Sequence, residues 1–176
     1  MRKITLVALA LAGSMALVGV TAVPAFAATT ADTPVTVTVA AGVLSITVPG
    51  TKALTAALPG ATSTTTLGDT VVTDARAGTA GWIATVTLPV LTGNVLTTKT
   101  IPTTAATYTA ATATKTGTVT VTAATVITDL TTAKTSQTAT AVTGNHTATW
   151  AASLTVKMPT DVLADTYSGT ITQSVL

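Results

Sequence analysis

Along most of the chain, apolar and polar positions alternate one for one. Val35, Val37 and Val39 are separated by Thr36 and Thr38, and the stretch from Val43 to Val48 alternates in the same way before Pro49-Gly50. A repeat of two sends successive side chains to opposite faces of a pleated backbone, so these segments predict half-buried strands. The same pattern predicts strands over residues 70–74, 82–88, 95–101, 116–122, 147–158 and 167–175. Pro59-Gly60, Gly68-Asp69, the Gly78 to Gly81 stretch, Gly93-Asn94 and Gly144-Asn145 fall between them as breakers. Residues 123–133 admit a short helix or a strand, and the β-branched Val126, Ile127 and Thr128 favour the strand. The expected fold class is all-β, an antiparallel β-sandwich.

The first 27 residues follow a different rule. Arg2-Lys3 precede an apolar run from Ile4 to about Val20, which ends in the small-residue exit Ala25-Phe26-Ala27. This order is that of a secretory signal peptide, cleaved after Ala27. Gly13, Ser14 and Gly19 interrupt the run and Pro24 precedes the exit, which argues against a retained membrane helix. The expected organisation is a signal peptide over 1–27 and a single β-sandwich domain over 28–176. A domain of that size buries about two thirds of the surface its unfolded chain exposes, enough for a core without staples.

Removing the leader changes the charge. The whole chain carries 8 basic and 6 acidic side chains, with an isoelectric point near 9.2. Arg2 and Lys3 account for the excess, so the remainder is neutral and carries no basic footprint for nucleic acid. The absence of cysteine excludes a lipidated cysteine, disulfides and thiolate metal sites. After residue 27 no apolar run approaches the roughly 18 residues of a membrane span. Residues 170–176 show neither a hydrophobic tail nor a Leu-Pro sorting pattern, so attachment to a cell surface is expected to be non-covalent.

Threonine supplies 46 of the residues after Ala27, and glutamate none. A β-branched side chain with an outward hydroxyl builds soluble strands without charge, which is the simplest account. An ice-binding face would need Thr-x-Thr ranks at a fixed repeat, and the gaps between the Thr-x-Thr segments at Thr36, Thr112, Thr118 and Thr138 share no period. Loose threonine-rich stretches over 62–66 and 103–112 also suit O-linked sugars.

Catalytic machinery is sparse. His146, the only histidine, sits in Gly144-Asn145-His146-Thr147, where an exposed hairpin turn is expected. Paired-carboxylate chemistry would need two of Asp32, Asp69, Asp74, Asp129, Asp161 and Asp165 to converge, yet most lie in or beside breakers, where aspartate commonly bonds nearby backbone. Calcium pairs at Asp69 with Asp74, or Asp161 with Asp165, lack the ligand density of a calcium loop. No catalytic residue, metal or cofactor is expected.

Two segments carry more. In the first, Asp74 and Arg76 precede Gly78, Gly81 and Trp82, which predicts an Asp74–Arg76 pair, or Arg76 covering Trp82, and a tryptophan delivered to a strand start. Trp82 is expected to be the core's keystone, the alternative being a rim position from which it stacks on a sugar ring. In the second, Tyr167, Gly169, Ile171, Gln173 and Val175 share one strand face, with Gln173 breaking an apolar row. With these segments the chain resembles the WxL-domain surface proteins of Gram-positive bacteria, in which Asp-x-Arg leads through glycines to Gly-Trp-x-Leu and a last strand reads Tyr-x-Gly-x-Leu-x-Trp-x-Leu. Asp74, Arg76, Gly81, Trp82, Tyr167, Gly169 and Ile171 match, whereas Ala84, Gln173 and Val175 depart. The resemblance implies an immunoglobulin-like sandwich at the cell surface or wall.

The expected function is therefore that of an exported, non-enzymatic surface protein bound non-covalently to peptidoglycan or another wall polymer through the Trp82 side of the fold. Its alternative is a structural subunit that assembles with itself or with other surface proteins through terminal edge strands at 28–39 and 167–176, which carry few guarding charges. Nucleic acid is excluded as a partner, and so is membrane once the leader is gone.

Overall fold

The computed structural model describes Thr30 and residues 32–176. The leader expected over 1–27 lies outside the described residues. The chain divides into two units, Met1–Val37 and Thr38–Leu176. In the first, the described residues form no strand and are exposed. This corrects the strand expected over 35–39: Val35, Val37 and Val39 are 88%, 88% and 79% exposed. Alternation fits a segment for a ladder, but backbone pairing also needs a neighbouring strand, and these residues have none among those described.

The second unit is all-β and antiparallel. Its strands are β1 (Leu44–Thr47), β2 (Thr62–Asp74), β3 (Trp82–Thr87), β4 (Leu91–Gly93), β5 (Thr100–Ile101), β6 (Ala106–Ala110), β7 (Thr114–Ala123), β8 (Ile127–Thr128), β9 (Lys134–Lys157), β10 (Tyr167–Ser168) and β11 (Thr172–Val175). A single 3-10 turn, Thr103–Ala105, precedes β6.

β9 is the spine of this sandwich. Along one edge it pairs first with β3, through Lys134 to Ala139, and then with β2, through His146 to Lys157. Along the other edge it pairs with β7 from Gln137 to Thr149 and with β6 from Ala152 to Val156. β1 extends the sheet beyond β2, β11 beyond β3 and β8 beyond β6. A straight strand of this length would run about 80 Å at 3.3 Å per residue, too far for so small a domain. Between its two sets of partners the chain turns at Ala141 (φ 50°) and Gly144 (φ 70°), and the β7 register slips on either side of Thr118. One strand thus serves both layers of the sandwich, the usual way a sheet turns a corner. Gly144-Asn145 is accordingly the interior of a strand and not the expected hairpin turn.

Alternation along β9 fills the core. His146, Ala148, Trp150, Ala152, Leu154 and Val156 point inward and are buried, and the small Ala148 and Ala152 flank the large Trp150. Val72, Val86, Leu88, Tyr108 and Leu130 close round them. The outward residues are largely threonine, and ladder register aligns what the sequence spaces unevenly. Ser45, Thr73, Thr147 and Thr116 form one row across four strands, and Thr64, Thr155, Thr107 and Thr128 form another. Hydroxyls bond across the strands at Thr116–Thr147 (2.7 Å) and Thr64–Thr155 (2.9 Å).

Other boundaries move for identifiable reasons. Residues 62–66, expected to be loose, begin β2, because Thr62 to Thr66 pair with Ser153 to Lys157; Gly68-Asp69 lies inside that strand, paired with Ala152 and Ala151, and the register shifts just before it, at Leu67. Residues 103–112 are not loose either, since most of them form the 3-10 turn and β6. The strand expected over 95–101 reduces to β5, and the backbone before it is held by a side chain, Asp165, in place of a ladder. Residues 123–133 contribute the end of β7 and the short β8. The last strand splits in two. β10 pairs with β4 in a small three-stranded sheet, whereas β11 joins β3 in the main one. A side chain at Gly169 would come within 2.7 Å of Leu91 Cδ2, so this tight passage between the two sheets takes glycine.

Candidate functional site

The Asp74-to-Trp82 segment folds into one closed unit. Asp74 ends β2 on its inward face, its side chain 3% exposed. The Arg76 backbone N–H donates to Asp74 Oδ1 (3.0 Å), and its guanidinium donates through Nε to Oδ1 (2.9 Å) and through Nη2 to Oδ2 (2.7 Å). The same Nη2 donates to the carbonyls of Ala80 (3.2 Å) and Gly81 (3.1 Å), so one side chain ties both ends of the loop together. These contacts hold the Asp74 carboxyl below its ordinary value of 3.8, and the carboxylate in turn raises the Arg76 guanidinium. Gly81 then lies against the Ala139 carbonyl, where any side chain would collide.

This loop delivers Trp82 to the first position of β3, 2% exposed. Its indole Nε1 donates to Nε2 of His146 at 2.9 Å. With Nε2 accepting from the indole, the other ring nitrogen, Nδ1, lies 3.3 Å from the Gly144 carbonyl. The two rings are nearly parallel (9°) with centroids 6.4 Å apart, an edge-to-edge arrangement set by that bond. Asp74, directly opposite His146 in the ladder, brings Oδ2 to 3.9 Å from Nε2. On the other side the Trp150 ring lies 6.5 Å from Trp82.

From Trp150 the polar contacts continue inward. Its Nε1 donates to the Tyr108 hydroxyl (3.5 Å), which donates to Gln173 Oε1 (3.0 Å), and Thr70 Oγ1 donates to the same oxygen (3.3 Å). Tyr108 is fully buried, and burial pushes its phenol up. Asp74, Arg76, Gly81, Trp82 and Gln173 thus belong to one framework running from the Arg76 surface through the core.

One expectation is overturned here, and one alternative falls. His146 is 3% exposed, a buried acceptor for Trp82 and not an exposed turn residue. Trp82 holds the keystone position, and the rim alternative, in which it stacks on a sugar, fails because the indole is enclosed. The expected Asp74–Arg76 pair is present. Gln173 does interrupt an apolar face, and its amide oxygen accepts from two buried hydroxyls, those of Tyr108 and Thr70.

The remaining predicted positions stand apart from that framework. Tyr167 in β10 is half-buried and donates through its hydroxyl to the Leu163 carbonyl (3.0 Å), and Gly169 packs against Leu91. Nearby, the Asp165 carboxylate accepts from the N–H groups of Leu96 (2.7 Å), Thr166 (2.7 Å) and Val95 (3.0 Å), which hold it below its ordinary value. The aspartates therefore work singly: Asp74 on Arg76, Asp165 on backbone, and Asp129 on the Thr131 hydroxyl and Lys134. Asp69 faces outward while Asp74 faces inward. Among the described residues no three His, Asp or Glu side chains gather as a metal site.

Sequence reasoning missed His146, Tyr108 and Asp165 as participants. For the first a signal existed: extending the 147–158 strand back by one residue puts His146 in the same inward row as Trp150. Compared with known proteins, the chain matches no family model, no curated protein sequence and no solved structure.

Proposed function

We propose that this is an exported, non-enzymatic β-sandwich of the Gram-positive surface, related to the WxL-domain proteins and held non-covalently to peptidoglycan or another wall polymer. The observation that carries the reading is the role of the motif residues. Asp74, Arg76, Gly81 and Trp82 are a single hydrogen-bonded unit that seats the core tryptophan, so the residues shared with the first WxL segment are ones on which the sandwich depends. The histidine an enzyme would use is committed to Trp82 within the core, in keeping with a binding role. Co-sedimentation of the mature protein with purified cell walls is the test. Depletion from the supernatant is expected, and equal recovery with and without walls would refute wall association.

A second reading is favoured by a separate observation. The exposed, alternating Val35, Val37 and Val39 have the pattern of a strand and no ladder, so they suit addition to the sheet edge of a second copy. The C-terminal segment, expected alongside it from sequence, pairs on one side only, β10 with β4 and β11 with β3, and each stands at the end of its sheet. Filaments or discrete oligomers that vanish with Val35→Lys and Val37→Lys would support this reading, and a monodisperse monomer at high concentration would refute it.

A further inference from the structure

If this protein holds a saccharide polymer, an aromatic ring must be available to pack on the apolar C–H face of a sugar. Of the four aromatic residues described, Trp82, Trp150 and Tyr108 are 2%, 1% and 0% exposed. Tyr167 alone is accessible, and it lines a cleft of about 270 Å³. Pro102 and Pro159 give that cleft rigid apolar walls, while Lys99, Thr100 and Asp161 supply donors and acceptors. Apolar walls with a few convergent polar groups are the usual make-up of a small-ligand site. Pro159 also borders a neighbouring cleft of about 380 Å³, lined by Thr104, Thr107 and Lys157. The two depressions adjoin across that proline, which suits a chain of rings better than a single one.

The cleft is held in shape by bonds remote from its floor. Asp165 clamps the backbone of Val95 and Leu96 to the turn before β10. Asn94 N–H donates to the Thr166 carbonyl and Gly93 N–H to the Lys99 carbonyl, and Ser168 Oγ donates to Asn94 Oδ1 (2.8 Å). These contacts fix the backbone on which Lys99 and Tyr167 are mounted, so little ordering remains to oppose binding.

We propose that the Tyr167 cleft and its neighbour across Pro159 form a binding groove for a glycan strand. The Tyr167 ring packs on one sugar, Lys99 donates to ring hydroxyls and Asp161 accepts from them. This rests on the wall-polymer reading and places the contact on the small sheet, away from the Trp82 side.

The experiment pairs two measurements on the mature protein. In the first, amide resonances are followed while peptidoglycan glycan strands, enzymatically stripped of their stem peptides, are added. Shifts confined to residues 99–107 and 157–167 are expected; shifts elsewhere, none, or shifts only with peptide-bearing fragments would overturn the groove. In the second, Tyr167→Ala is expected to weaken retention on purified peptidoglycan about tenfold, the share of one aromatic contact of roughly 1.4 kcal/mol, while Tyr167→Phe stays within about twofold. The unfolding midpoint of each variant separates loss of contact from loss of fold. Unchanged retention by a folded Tyr167→Ala would remove the groove and leave wall association standing, whereas no retention of the unsubstituted protein would remove both.

Discussion

The two motif segments look alike in sequence, each an aromatic beside glycines, yet the fold uses them in opposite ways. Around Trp82 the contacts serve the core: the indole is enclosed, its N–H is taken by His146, and the loop before it is locked by Arg76. Around Tyr167 the ring stays half-exposed, and the structure is carried by backbone groups on the Asp165 carboxylate. The difference is that Trp82 starts a strand of the main sheet, next to the spine β9, whereas Tyr167 lies in a two-residue strand of a small sheet. Stability should therefore reside in the first region and surface contact in the second.

Removing the rings tests this most severely. Trp82→Ala leaves a large cavity beside Trp150 and strips His146 of its donor, so a loss of about 3–5 kcal/mol is expected by denaturant titration. The matching Tyr167→Ala should cost far less, within about 1 kcal/mol, because its ring is already partly solvated. Equal losses would erase the distinction between the regions.

Next in size is Arg76→Ala, which leaves the enclosed Asp74 carboxylate beside His146 without its cation. A loss of about 2–3 kcal/mol is expected, as for hydrogen bonds to a charged group. The sign of its pH dependence follows from the lowered Asp74 value. A depressed carboxyl contributes stability that is present above the ordinary value of 3.8 and disappears as pH falls through the lowered one. Below that range the gap between Arg76→Ala and the unsubstituted protein should narrow to the share of the Ala80 and Gly81 carbonyl contacts, and unfolding midpoints measured from pH 7 down to pH 2 would expose a gap that stays constant instead. Gln173→Leu should cost about 1–2 kcal/mol, because Tyr108 and Thr70 lose their shared acceptor.

Period-two alternation made the all-β class and most strands legible, since it reports which side of a pleat a residue occupies. It does not report the partner, and the misreadings follow from that. Val35 to Val39 alternate as well as any strand, yet form none. Gly144-Asn145 reads as a turn, yet lies within β9, because β7 continues to pair beside it and a glycine accepts the φ of 70° that the bend requires. Asp74 and Arg76 were legible as a pair because two residues bring their side chains within reach along one short segment. The His146 contact with Trp82 was not, since it bridges 64 positions and depends on the register of β2 and β3 along β9.

The smallest expected effect lies in the second region and bears on the groove. Asp165 holds three backbone N–H groups, those of Val95, Leu96 and Thr166, none of which belongs to a strand. Asp165→Ala removes their acceptor at an exposed site, so the global unfolding midpoint should hardly move. Local opening should rise instead, and hydrogen exchange at Val95, Leu96 and Thr166 should quicken while exchange along the middle of β9 stays as it was. Acidification should act in the same direction. The lowered Asp165 carboxyl keeps the clamp charged above 3.8 and releases it as pH falls through the depressed value. If Asp165→Ala instead slowed β9 folding or lowered the global midpoint as far as Arg76→Ala does, the small sheet would be part of the stabilising core. The contrast with the Trp82 framework would then reduce to a difference in exposure.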